Sequence, residues 1–344
     1  MSNDTQPPVN LFAAQQVVLR ERLLFLLATL HPVLRADVVR ALEEEGKLLA
    51  KPRADAVAVR PDGSWALLTM LVAQHIDPDI DLLCVSSVAI AIECFVCALD
   101  LLDDVEDEDQ TPSIQVLGVA RALNVATALM MLAQQAISSL SQQAVPPGRI
   151  LSLLDTLQAS ALNAAAGQHR DLLAEQRSAQ ELTLEECIEI AASKAGALMR
   201  LACQLGALCA EADDVMCEHF SELGELLGIA HQLDNDAHDL YYLLQSETSA
   251  VPPTKAENIT RSIKTDLVRQ KKTLPVVLAA RVNSSLQKAT APVVDKEEHL
   301  RALHEGIITT WGICLLYRER AGDRLRMIED QRSLAPALRF LLDL

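Results

Sequence analysis

Apolar and polar positions along this 344-residue chain follow a helical rhythm and not the strict alternation of half-buried strands. Leu and Ala recur in runs punctuated by Pro7-Pro8, Pro32, Pro52, Pro61, Pro78, Pro112, Pro146-Pro147, Pro252-Pro253, Pro275 and Pro292, and the periodic stretches between them predict about ten helices. Residues 53–64 and 247–257 read as loops too short to separate independent domains. Residues 82–102 are apolar over about the length of a bilayer span. They nevertheless contain Ser86, Ser87, Glu93 and Asp100 and run straight into an acidic cluster, which predicts a helix buried on all sides in a large bundle, with no transmembrane segment.

Composition sharpens this picture. Gly (12) and aromatic residues (3%) are scarce, so the expected fold class is all-α, one helical domain over residues 1–344. Lys+Arg 30 against Asp+Glu 47 gives 30 − 47 = −17, which argues against a nucleic-acid partner held by a broad basic face. The opening MSNDTQPPVN carries no basic-then-apolar signal, and a cytoplasmic setting is expected. Cys84, Cys94, Cys97, Cys187, Cys203, Cys209, Cys217 and Cys314 sit mostly in Leu/Ala-rich text and read as reduced core residues. The Cys94-x-x-Cys97 spacing has no second pair to complete a zinc site.

The buried helix needs a reason for its acids. Residues 100–109, DLLDDVEDED, carry seven carboxylates close to a helix C-terminus, where the macrodipole already disfavours negative charge. Asp103 and Asp107 stand four apart on one face, a spacing suited to a hard divalent cation such as Mg²⁺; a solvated helix end accounts for the acids alone equally well. A second acidic stretch, ELGELLGIAHQLDNDAHDLYYLL from Glu222, repeats the four-residue spacing with Asn235 and Asp239, with Asp236 beside them. Two such helices packed antiparallel would aim oxygen ligands at each other across a cavity, and such paired clusters bind a metal-bridged diphosphate better than a bare metal. His231 and His238 flank the second stretch, but carboxylate neighbours without a thiolate make zinc a poor fit. Cations for an anion are at hand in Lys264, Arg269, Lys271 and Lys272, just before a helix start at Thr273 and Pro275. Lys194, within the apolar stretch SKAGALMRLACQLGA, either snorkels to water or pairs with an anion.

In combination these pieces resemble the trans-isoprenyl diphosphate synthase (polyprenyl synthetase) family. LLDDVED stands for its D-D-x-x-D, GQHRDL for G-Q-x-x-D-L, SKAGAL for the K-T-x-x-L helix, HQLDNDAHD for the second aspartate motif and QKKTLP for G-K-x-T-L-P, in order over residues 98–280. The resemblance implies the isoprenoid synthase fold, a single helical bundle around a central cavity, a homodimer, and Mg²⁺, three ions in all, bridging the diphosphate of an allylic substrate. Asp103, Asp107, Asn235 and Asp239 would be the metal ligands, with Asp104 and Asp236 supporting. Lys194 and Lys271 would hold the diphosphate, with Gln168 and Asp171 near the reacting end. Phe95 is expected in the cavity floor, where its ring would stop the prenyl tail, and the small Ala98 to leave room above it.

The chain departs from the family pattern at the chemistry. The upstream G-K-x-x-R that holds isopentenyl diphosphate has no good counterpart, the nearest text being DGSWALLTML with Gly63, Ser64 and Trp65. The arginine pair after the first motif is absent, Arg121 being the next arginine. Asn235 replaces an aspartate and Ala195 a threonine. The resemblance therefore points to an enzyme that ionises a linear prenyl diphosphate and cyclises the cation, eliminates a proton from it or transfers it to a non-standard acceptor. Few aromatic rings are placed to steady a cation: Trp65, Phe95, Tyr241, Tyr242 and Trp311. The alternatives are head-to-tail chain elongation, with Lys47, Arg53 or Arg60 rebuilding the missing site, and a silent regulatory subunit.

Overall fold

A computed structural model of the chain describes residues 12–50, 64–248, 271–282 and 296–342, and among these every regular element is helical. In chain order the α-helices are α1 (Ala13–Leu27), α2 (Pro32–Glu44), α3 (Ser64–Ile76), α4 (Leu82–Glu106), α5 (Pro112–Leu117), α6 (Val119–Ser138) and α7 (Pro147–Glu175). They continue with α8 (Leu184–Ala191), α9 (Ala197–Cys209), α10 (Asp214–Thr248), α11 (Leu274–Val282), α12 (Lys296–Glu329) and α13 (Pro336–Leu342). A π-helical turn, Ala192–Gly196, joins α8 to α9.

Local chemistry starts and stops these helices. Asp81 caps α4, its carboxylate accepting from the Leu83 N–H at 2.9 Å. Thr183 and Glu186 form a reciprocal capping box on α8. Thr111 caps α5, with Pro112 at the first helical position.

The apolar run of 82–102 is the central helix of the bundle. Val85, Val88, Ile90, Ile92, Val96 and Leu101 of α4 are at most 1% exposed, and α4 packs on α6, α3, α9 and α1. Full burial is worth about 1.5–3 kcal/mol for each such side chain, so the apolarity of this helix is accounted for by core packing. Leu82–Glu106 and Val119–Gln143 are the two described stretches long and apolar enough to cross a bilayer; the window in the first is 83% buried and that in the second 44%. Glu93, fully buried in α4, accepts the backbone N–H of Leu48 at 2.9 Å and of Ala66 at 3.0 Å, one oxygen to each.

The helices bearing the two acidic motifs, α4 and α10, face each other across a cavity, as the sequence suggested. Each packs against α9, and α10 leans on α12 on its other side. The space left between α4 and α10 is what the site requires.

Candidate active site

A cavity of about 410 Å³ opens between these helices. Its apolar wall includes Phe95, Val96 and Leu99 of α4 together with Met130, Leu172 and Leu198. Its polar end carries Asp103, Gln168, Lys194, His231 and Asn235.

The π-turn places the lysine. A π-turn accommodates an extra residue within a helix and so rotates the faces on either side of it. Two glycines let neighbouring helices reach it. A Cβ on Gly167 of α7 would lie 2.5 Å from the Ser193 Cβ, and one on Gly228 of α10 would lie 2.4 Å from the Ala195 carbonyl oxygen. Only glycine permits such approaches without displacing backbone. Lys194 thus meets side chains of two other helices: its Nζ donates to Asp171 Oδ2 of α7 at 2.7 Å and to Asp103 Oδ1 of α4 at 3.3 Å. Burial alone would lower the Lys194 pKa, but Asp103 and Asp171 override it and hold the ammonium well above its usual range. Of the two alternatives open to Lys194, pairing is the one observed.

The acids at the end of α4 are crowded. Burial pushes the Asp104 carboxyl up to about 7, opposed by the Thr111 hydroxyl, which donates to it at 2.6 Å, and reinforced by Glu45, Asp100 and Asp103. Asp107, the C-cap of α4, is buried and also raised, first by burial and then by Asp103, although Lys271 donates to it. On α10 burial pushes Asp236 up to about 7, with Asp171 and Asp239 adding to the rise against a 2.9 Å hydrogen bond from Gln232. The Asn235 amide and the His231 ring stand 3.4 Å apart. Gln168 lines the cavity with both amide atoms buried and unpartnered, a polar handle for a ligand.

Among the described residues no three His, Cys, Asp or Glu side chains are gathered into a ready metal site. Lysines hold several of the acids instead. The donor set still suits Mg²⁺: hard oxygen ligands come from two helices, and burial raises Asp104, Asp107 and Asp236, a cost that a bound cation would offset. Asp103, Asp107, Asn235 and Asp239 are the residues that would hold it.

Other expected residues fall as follows. Phe95 is 3% exposed and forms part of the cavity wall. Ala98 does not line the cavity; it is fully buried in helix packing. The reason is rotation, since five residues at about 100° each turn Ala98 roughly 140° away from Asp103. Lys264, Arg269, Arg53, Arg60 and Gly63 lie outside the described residues. Sequence reasoning missed the partner of Lys47, whose ammonium donates to Asp100. Cys94 and Cys97 are buried free thiols, and burial raises both pKa values, in keeping with packing.

Comparison with known proteins extends these observations. The sequence model of the family described as polyprenyl synthetase matches residues 64–307. Geranylgeranyl diphosphate synthase from Mycobacterium tuberculosis is 32% identical over 195 residues, covering 55% of this chain and 50% of the relative. Tryptophan prenyltransferase ComQ from Bacillus spizizenii is 35% identical over 153 residues, covering 43% of this chain and 49% of the relative. The chain thus spans about half the length of these curated relatives. A crystal structure of polyprenyl synthetase from Streptomyces coelicolor A3(2) superposes with a TM-score of 0.72 at 21% identity, covering 97% of this chain and 98% of that one, and shows the shared isoprenoid synthase fold. With four of its five motifs contributing lining residues to one cavity and 244 of its residues inside the family match, the chain belongs to the polyprenyl synthetase family.

Proposed function

We propose that this chain is an enzyme that ionises a linear allylic prenyl diphosphate and directs the cation to a fate other than addition to isopentenyl diphosphate. The fates are cyclisation, loss of a proton, or transfer to a non-standard acceptor; the name of the ComQ relative suggests a tryptophan side chain for the last. One observation carries the reading. Lys194 is the one lysine, and no arginine occurs, among the described residues lining the cavity, and the next lysine behind the wall, Lys47, is already held by Asp100. A second diphosphate would meet acids without compensating cations.

The chain's own groups divide the work. Lys194 and Lys271 receive the diphosphate, exchanging carboxylate partners for phosphate oxygens. Asp103, Asp107, Asn235 and Asp239 would hold Mg²⁺, three ions as the family resemblance implies, and the metal would supply Lewis-acid stabilisation of the departing oxygens. As the allylic C–O bond breaks, its electron pair leaves with the diphosphate. Phe95, Val96, Leu99 and Leu198 exclude water from the cation left behind. Gln168 orients the reacting end. Helices α3, α4, α6, α7, α9 and α10 contribute to one cavity, which supports reading the chain as a single domain, and eight free cysteines suit a reducing, cytoplasmic setting. Exposed Val119, Leu123 and Met131 on α6 and Leu151 and Leu162 on α7 support a homodimer.

The test is incubation with geranyl, farnesyl or geranylgeranyl diphosphate, with and without isopentenyl diphosphate or a tryptophan-containing peptide, and analysis of hydrocarbon, diphosphate and peptide fractions. Products independent of isopentenyl diphosphate are expected. Efficient, saturable formation of a longer diphosphate at micromolar isopentenyl diphosphate would establish the second reading, chain elongation, which similarity to a geranylgeranyl diphosphate synthase favours. Absence of any turnover, with no thermal stabilisation by Mg²⁺ and prenyl diphosphate, would instead identify a silent regulatory subunit.

A further inference from the structure

Beside the polar end of the cavity lies a charged cluster that the chemistry above does not use. Lys47, just beyond α2, is buried, and its ammonium donates to Asp100 of α4. The Lys47 side chain is 9% exposed and that of Asp100 is 38% exposed. Asp100 lines the cavity whereas Lys47 does not, so the pair meets the space where substrate binds through Asp100. Glu93 also acts on Lys47 electrostatically, but each of its oxygens already accepts a backbone N–H, from Leu48 and Ala66. Asp100 is therefore the hydrogen-bonding partner that holds this lysine.

We propose that Asp100 determines acceptor specificity: by engaging Lys47 and presenting its own carboxylate to the cavity, it denies a second diphosphate the anion site that this lysine would otherwise supply. The inference rests on the reading that the native acceptor is not a diphosphate. The physical argument is the sign of the charge offered to the cavity. With Asp100 ionised, an incoming diphosphate meets a carboxylate first and a lysine already neutralised behind it. With that carboxylate removed, the ammonium keeps its charge and has N–H groups free to turn toward the cavity. Lys47 carries the donors that a phosphate oxygen accepts. A buried cation deprived of its partner is costly to leave bare, and that cost is recovered when an anion binds.

The experiment compares wild type with Asp100→Asn, which keeps an acceptor oxygen for Lys47 but removes the charge, and with the double variant Lys47→Met/Asp100→Leu, which replaces the pair by apolar groups. Isopentenyl diphosphate binding is measured by calorimetry, and elongation is assayed with farnesyl diphosphate and Mg²⁺. Asp100→Asn is expected to bind isopentenyl diphosphate at least ten-fold more tightly than wild type and to yield a longer diphosphate, and the double variant to lose both gains. If Asp100→Asn is folded by circular dichroism and its affinity is unchanged, the proposal is overturned while the assigned function stands. If wild type itself elongates at micromolar isopentenyl diphosphate, the functional reading fails instead. A third readout leaves Asp100 in place: Lys47→Gln is expected to change isopentenyl diphosphate affinity less than two-fold. A ten-fold loss would overturn the proposal by showing that Lys47 already receives anions beside Asp100, and this arm decides the matter should Asp100→Asn not fold.

Discussion

Asp104 is expected to destabilise the metal-free protein at neutral and alkaline pH, and Asp104→Asn to stabilise it. The carboxyl sits in the last turn of α4, accepts the Thr111 hydroxyl at 2.6 Å, and is pushed from 3.8 to about 7, first by burial and then by Glu45, Asp100 and Asp103. The folded chain therefore keeps this proton between those two values while the unfolded chain gives it up, so stability falls as pH rises across the window and the full cost is present above 7. At about 1.36 kcal/mol per pH unit the displacement corresponds to roughly 4 kcal/mol. Solvent screening of a group that is only partly buried reduces that to about 1–2 kcal/mol. Asparagine retains a carbonyl for Thr111 and removes the ionisation. For a chain of this length, with an unfolding entropy of about 2.1 cal/mol/K per residue, the gain is about 1–3 °C in Tm. Thermal unfolding in EDTA from pH 5 to 8 should show Asp104→Asn above wild type at pH 8, with the gap closing as pH falls. A gap that is constant with pH, or a wild type more stable at pH 8, would refute the reasoning.

Four further outcomes are expected. Asp103→Ala and Asp239→Ala should each lower turnover by two orders of magnitude or more while circular dichroism stays native, and EDTA should abolish wild-type turnover until Mg²⁺ is restored. Phe95→Ala should shift kcat/KM toward a longer prenyl chain while costing about 3 kcal/mol of stability, and unchanged length selectivity would count against its place in the cavity floor. Gly228→Ala should destabilise by about 1–3 kcal/mol and lower activity because its Cβ would press on the Ala195 carbonyl, whereas Gly312→Ala, with no neighbour within 4 Å, should stabilise by about 0.5–1 kcal/mol in chemical denaturation. Light scattering should show a dimer, and Leu123→Glu combined with Met131→Glu should convert it to monomer.

What could be read in advance depended on the range of the interaction. A 25-residue apolar helix ending in acids announces itself through neighbours in sequence, and α4 follows that pattern closely. The motif lysine at 194 was identifiable because its helix is otherwise apolar. Its partners were not, since Asp103 and Asp171 are 91 and 23 residues away. The Lys47–Asp100 pair spans 53 residues and carries no local signature. The π-turn was invisible for a different reason: ASKAG is ordinary helical text, and the extra residue reveals itself only in hydrogen-bond register. Ala98 was misplaced by counting positions along α4 without following their rotation.

The π-turn at Ala192–Gly196 divides one continuous rod between two apolar clusters. Cys187 and Ala191 before it belong to a cluster with Leu233, Leu274 and Val277, while Met199, Leu201 and Leu205 after it belong to the large core around α4. In genetic terms the extra residue that the turn accommodates is a single in-frame codon. Deleting one residue there would restore an unbroken α-helix, but would rotate one anchored half by about 100° against the other, so that both clusters could not remain in register. A change so small at the DNA level would therefore act as a large one in the protein. Gene libraries that vary the length of this stretch should return the parental length among active clones, even where the identities of its alanines drift freely.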